Sequence, residues 1–386
     1  MKALSVLILI LTAAVCVAAG PIEVFRIDEK TVRIEGVADA FYSPSGKLLA
    51  IQGESNFLLL STRDLSKIIE RSGNIIGFLP SETLVFSDRG EIFALAPPAK
   101  LPRRIFAANL AKNLIDAPGQ SGVVIVSNDL IVAGGGSFDW GGRKGNIFRF
   151  NLKTKRMTKG ARVWAFWYTS LSPSGRYVLY EHGAEDTNNA DLYDVLLDKN
   201  YPIHEYFSLE REFPGFEWNE EVPIAWLAGR DRFLAEIMTR KESGETDENW
   251  LVLFDVPSRK IIWKKLFIQS MFPPGFQQID DETAFIDTYD GIYELSLTTG
   301  EMKKSEKIDG ARASVSPDKK RIAFINVEKV FVASTGGRDK KQIFELPRDW
   351  EMQRAYKGMG ERPPLWSPSS DRVILFGKDR LFLIEP

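Results

Sequence analysis

The chain has 386 residues, with 50 Lys plus Arg against 52 Asp plus Glu, two His and one Cys. A charge this near balance argues against a nucleic-acid partner, which needs a basic footprint for the phosphate backbone. Two histidines exclude a three-histidine metal site, and one cysteine excludes an internal disulfide or a thiolate cluster.

Residues 1–20 read as a secretory signal peptide. Lys2 is followed by the apolar run Ala3 to Leu11 and by small residues ending Val17-Ala18-Ala19, with cleavage expected near Ala19 or Gly20. Export to the periplasm or the exterior follows, with residues 21–386 as the mature chain. Lipid attachment at Cys16 is disfavoured, because Ala13-Ala14-Val15 departs from the Leu-x-(Gly/Ala)-Cys pattern. An uncleaved anchor lacks a following cluster of Lys or Arg. No later apolar run approaches the ~20 residues that span a bilayer, so no membrane span is expected after cleavage.

Four segments then repeat one pattern: Tyr42-Ser43-Pro44-Ser45-Gly46, Leu171-Ser172-Pro173-Ser174-Gly175, Val315-Ser316-Pro317-Asp318-Lys319 and Trp366-Ser367-Pro368-Ser369-Ser370. Each reads as a strand, a Pro-led turn and a second strand. Pro presets φ at the first corner, Ser or Asp bonds the local backbone, and Gly accepts a positive φ. Weaker copies start at Leu79, Ser127, Gly229 and Asp280, which makes eight units. Downstream, Phe150–Met157, Phe254–Ile261 and Leu295–Met302 read as hairpins joining a third strand to a fourth. The last unit, 366–386, has room for three strands only. The N-terminal segment Ile22 to Gly36, with Val24, Phe25, Ile27, Val32 and Ile34, is expected to supply the fourth and close the ring.

The sequence thus predicts an all-β fold, a single β-propeller of four-stranded antiparallel blades, eight by this count with seven as the alternative. The segment Val315 to Ala333, with Ser-Pro-Asp, Arg-Ile-Ala-Phe and Lys-Val-Phe-Val, resembles the WD40-like repeat of TolB-type periplasmic propellers. The resemblance covers the propeller part alone. An N-terminal α/β domain of the TolB kind is not recognisable, so a TolB-like role is not implied, and the repeat speaks to fold rather than activity.

Tight second-to-third-strand connections are expected in most blades, but three consecutive blades carry longer ones: Gly134 to Gly145, His182 to Ala190 and Arg240 to Asn249. Adjacent long loops on a rigid scaffold mark a binding face. In the first of these, Trp140 offers a stacking ring beside Asp139, and Arg143 an anion partner. The second gathers His182, Glu185 and Asp186. Its oxygens are of the kind Ca²⁺ takes, yet the spacing misses the Asp-x-Asp-x-Asp-Gly pattern, and a solvated polar loop fits better. The connections Phe213 to Glu221 and Ser270 to Phe276 reach the same face. There Trp218 either contacts a ligand or, with Phe216, fills the space between blades. His204 is expected in a strand, and a short helix is expected over 348–356.

No Gly-x-Ser-x-Gly elbow occurs, and no cofactor is implied. The function read from these residues is a protein- or ligand-binding module of the cell envelope, engaging a protein or glycan partner at the face of blades three to five. The alternative is a glycan-processing enzyme working with carboxylates, for which Glu185, Asp186, Glu217 and Glu220 are the candidates.

Overall fold

The computed structural model describes residues 27–28, 31–33, 39–53, 56–89, 91–99, 101–107, 123–135, 145–163, 167–184, 187–213, 216–241, 248–267, 275–288, 291–306, 308–346, 363–376 and 380–386. These residues form eight antiparallel sheets, seven of them joined in simple sequence order. Blades one to seven span 39–72, 74–107, 123–163, 167–202, 216–267, 275–304 and 311–345. Blade eight takes three strands from 365–384. Its fourth is Thr31–Arg33, which pairs with Arg380–Ile384 in the register Thr31↔Phe382, Val32↔Leu381 and Arg33↔Arg380. Ile27–Asp28 adds a fifth strand outside it. The ring is closed by the N-terminal segment, as the sequence predicts, and seven blades are excluded.

The second strands are buried on both faces, which is why they read as continuous apolar runs such as Leu48–Gln52, and in blade one the third strand Asn56–Ser61 is buried likewise. Alternate side chains point to opposite neighbours. Leu49, Ile51, Leu58 and Leu60 pack toward blade eight, whereas Ala50, Phe57 and Leu59 pack toward blade two. One such apolar cluster fills every junction between consecutive blades. The core is therefore a ring of eight inter-blade wedges.

The Ser-Pro repeats form the turns from first to second strand, on the face called lower here. Their buried serines have one job. Ser43, Ser172, Ser316 and Ser367 each accept, through Oγ, the amide of the residue five positions on: Leu48, Tyr177, Arg321 and Arg372. The fourth residue is left-handed in each turn, glycine at Gly46 and Gly175 but Lys319 and Ser370 elsewhere. The third residue then reaches the next blade: the Ser45 amide donates to Glu82, that of Ser174 to Asp231, and that of Asp318 to Ser370 Oγ. The repeat encodes both the turn and the seam to its neighbour.

Between blades four and five the connection carries two short helices, α1 (Ile203–Phe207) and α2 (Leu209–Glu212). Ile203, Phe207, Leu209 and Phe213 are buried in the wedge with Phe233 and Phe254. His204 lies in α1, not in a strand as the sequence suggested, because the outer strand of blade four stops at Pro202. The helix expected over 348–356 lies outside the described residues.

Candidate functional site

The upper face carries the second-to-third-strand connections and the links to the next blade. In blades one, two, six and seven the second strand has five or six residues. In blade four it is Tyr177–Ala184, paired without a break to Thr187–Asp194, so the pairing continues through His182↔Asn189 to Ala184↔Thr187. The expected loop His182 to Ala190 is therefore an extended hairpin with only 185–186 between its strands. In blade five Arg232–Lys241 pairs with Glu248–Asp255 down from Thr239↔Glu248, and the inner strand Phe216–Trp226 is the longest of the described strands, at 11 residues. The expected connection Phe213 to Glu221 is thus mostly strand. Blade three lengthens differently, with strands ending at Gly135 and resuming at Gly145.

Of the residues singled out by sequence, Asp139, Trp140, Arg143, Glu185 and Asp186 lie outside the described residues. His182 stands on the second strand of blade four opposite Asn189, and Trp218 on the inner strand of blade five opposite Thr239. Glu217 and Glu220, the carboxylates of the alternative reading, lie on that same inner strand.

The feet of these hairpins are fixed by buried polar groups. Below His182, the Tyr180 hydroxyl is shared between Asp191 Oδ2 at 3.0 Å and Asn200 Oδ1 at 2.7 Å, and Asn200 Nδ2 donates to Asp191 at 2.6 Å. Burial pushes the Tyr180 hydroxyl well above its usual range, with the Asp191 charge adding to the effect, so it stays protonated and donating. In blade five, Thr239 is fully buried and its hydroxyl donates to the Glu248 carbonyl at 3.2 Å.

A second set of polar groups lies at one level of the second strands and was not picked out by sequence reasoning. Gln52, Ser87, Glu181, Glu236 and Asp287 occupy matching register positions, opposite Phe57, Ile92, Ala190, Leu251 and Ile292. The first four are buried. Gln52 accepts the Ile75 amide of blade two at 2.6 Å, and Asp287 accepts the Ala313 amide of blade seven at 3.0 Å. In both cases the receiving inner strand is bulged, between Ile75 and Gly77 and between Ala311 and Ser314, which frees an amide from the ladder. Gln52 and Asp287 are thus inter-blade latches. The signal was available: a polar residue closes an apolar run, as in Leu-Ala-Ile-Gln, Tyr-Val-Leu-Tyr-Glu, Phe-Leu-Ala-Glu and Ala-Phe-Ile-Asp.

Asp287 has chemistry beyond a latch. Burial pushes its carboxyl up to about 6, against the opposing pull of the Ala313 and Arg312 amides and the Arg312 charge. Burial in turn lowers the Arg312 guanidinium. Among the described residues no group of three or more His, Cys, Asp or Glu is arranged to hold a metal.

No family model matches the sequence, and no curated protein does. Similar folds are found among solved structures. An oligogalacturonate lyase in complex with manganese aligns over 91% of this chain and 89% of its own, at TM-score 0.50 and 11% identity. The dihydro-heme d1 dehydrogenase NirN in complex with DHE aligns over 82% and 67%, at 0.51 and 13%. The Myceliophteria thermophila Cps50 (Swd1) β-propeller domain aligns over 92% and 98%, at 0.47 and 9%. At these identities the likeness is one of fold. The fold is accordingly that of an eight-bladed β-propeller closed by its N-terminal strand.

Proposed function

We propose that the chain is an exported binding module of the cell envelope, whose partner, a protein or a glycan, meets the upper rim of blades three to five. The observation that carries this reading is the run of lengthened strands in adjacent blades four and five, stiffened at their feet by Tyr180, Asp191, Asn200 and Thr239. Rigid hairpins raised over one sector present side chains at small entropic cost. Export is supported by the leader-like sequence of residues 1–20. Trp140, Trp218, Asp139, Arg143, His182, Glu185 and Asp186 are the contact residues of this reading. The 181–221 segment holds twelve Asp or Glu against Lys199 and Arg211, so cationic protein segments and hydroxyl-rich glycans suit it better than anions do.

A carboxylate-based, glycan-processing activity is the second reading, favoured by the raised carboxyl of Asp287. It ranks second because Asp287 spends its oxygens on the amides of the next blade.

The test is binding of the chain to arrayed envelope glycans and to basic peptides, compared with Trp140→Ala, Trp218→Ala and Glu185→Lys/Asp186→Lys. Loss of a ligand by these variants, with an unchanged circular dichroism spectrum, supports the reading. Retention of every ligand by all three rejects it. Turnover of a glycan that Asp287→Asn abolishes selects the second reading instead.

A further inference from the structure

Five third-to-fourth-strand turns share one construction, on the lower face at the outer rim. In 61–66, 151–156, 194–199, 255–260 and 296–301 the second residue is turned inward, and the fifth is left-handed: Leu65, Lys155, Asp198, Arg259 and Gly300. The third and fourth residues form the exposed tip. They are Arg63-Asp64, Lys153-Thr154, Pro257-Ser258 and Thr298-Thr299 in four of the turns, but Leu196-Leu197 in blade four. These two leucines are 73% and 60% exposed, and Leu101, on the corresponding turn of blade two, is 82% exposed. Half of the six exposed large apolar side chains among the described residues thus sit on two of these turns.

Their display is fixed. Asp194 Oδ1 accepts the amides of both Leu196 and Leu197, at 2.9 and 3.0 Å, while its Oδ2 is held by Arg176 at 2.8 Å. Asp198 is tied to the Tyr193 hydroxyl and to the Ala161 amide of blade three, where a Cβ on Gly160 would come within 2.4 Å of it. The turn cannot fold its leucines inward without breaking these bonds.

Basic charge flanks the leucines on the blade-three side, while the acids of their own turn, Asp194 and Asp198, are engaged by Arg176 and by the Tyr193 hydroxyl and Ala161 amide. The overall balance conceals a segregation, with nine Lys or Arg and no Asp or Glu between Trp140 and Tyr180. In blade three Lys153, Lys155, Arg156 and Lys159 are exposed, with Arg103 and Lys199 on the flanking blades. Rigid apolar tips set among basic side chains match a bilayer of anionic lipid: leucines enter the interfacial layer and cations meet headgroups. A soluble polyanion would use the cations and leave the leucines wet.

We propose that the lower outer rim of blades two to four is a peripheral docking surface for anionic membrane. Docking by this rim leaves the hairpins of the opposite face directed away from the bilayer.

The experiment is co-sedimentation of the full chain with phosphatidylcholine vesicles, with and without phosphatidylglycerol. All variants share one N-terminus, so the apolar segment Ala3 to Leu11 cannot account for differences between them. Leu196→Ser/Leu197→Ser is expected to weaken partition to the anionic vesicles at least about tenfold. Lys153→Gln/Lys155→Gln/Arg156→Gln is expected to remove the preference for phosphatidylglycerol and the sensitivity to added salt. Both lie on exposed turns, and near-UV circular dichroism checks that the fold is kept. Equal sedimentation of the leucine variant and the parent overturns the proposal, as does binding to soluble polyphosphate with no partition to vesicles.

Discussion

Ser174 in blade four holds Asp231 in blade five twice, through its amide at 3.2 Å and its hydroxyl at 2.7 Å. Ser45 holds Glu82 in the same way between blades one and two, at 2.7 and 2.9 Å. Replacing Asp231 by Ala leaves the turn amide to water and is expected to cost about 1–2 kcal/mol. Adding Glu82→Ala at a distant seam should cost a similar, additive amount. Urea midpoints of the single and double variants measure both.

The carboxyl of Asp287 gives stability a definite pH slope. Its folded value of about 6 lies above the ordinary 3.8, so the native state binds the proton more tightly than the unfolded chain. Its contribution is most favourable below pH ~4 and declines as pH rises through ~6, by up to ~3 kcal/mol. Asp287→Asn keeps a carbonyl for the Ala313 amide and should flatten that slope. Unfolding curves of the two proteins from pH 4 to 7 test it; parallel slopes would remove Asp287 from the account.

Val327 stands at the tip of the hairpin between Arg321–Asn326 and Lys329–Ser334, with φ 57° and 86% exposure. A β-branched residue is strained in this region, and here no burial offsets the strain. Val327→Gly should stabilise the fold by about 1 kcal/mol and raise the thermal midpoint.

Ring closure rests on a short strand. Val32 lies between Ile27–Asp28 and Arg380–Ile384, so a proline there removes an amide flanked by a neighbour on each side. Val32→Pro is expected to open blade eight first, seen as faster proteolysis near 365–386 while the wedges of blades three to six stay protected in hydrogen exchange. Uniform loss of protection would show instead that the ring unfolds as one unit.

Much of this fold was legible in the sequence, and the gaps have physical causes. The turns were readable because Ser-Pro-x-Gly is read locally, by a hydroxyl and a left-handed φ. The closing strand was readable because the last unit is one strand short. The extension of blades four and five was not, since His182-Gly183-Ala184 and Asn188-Asn189-Ala190 have little intrinsic strand preference. Their pairing is carried by register from the apolar part below. His204 was misplaced because only wedge packing decides that the chain turns helical after Pro202. The buried acids Glu181 and Glu236 and the latch Asp287 were not singled out, because each only closes an apolar run, and the basic run of blade three vanished into a total charge near zero. The candidate contacts Trp140, Arg143 and Glu185 rest on composition and position.

Blade eight also sets a timing. Thr31 and Phe382, near opposite ends of the chain, are partners in one ladder, so the ring cannot seal until the final strand is free to pair. A chain synthesised N-terminus first therefore stays an open arc until the strand Arg380–Ile384 is free of the ribosome. The unpaired edge strand of the last blade is then completed by one of the first segments to be made, Thr31–Arg33.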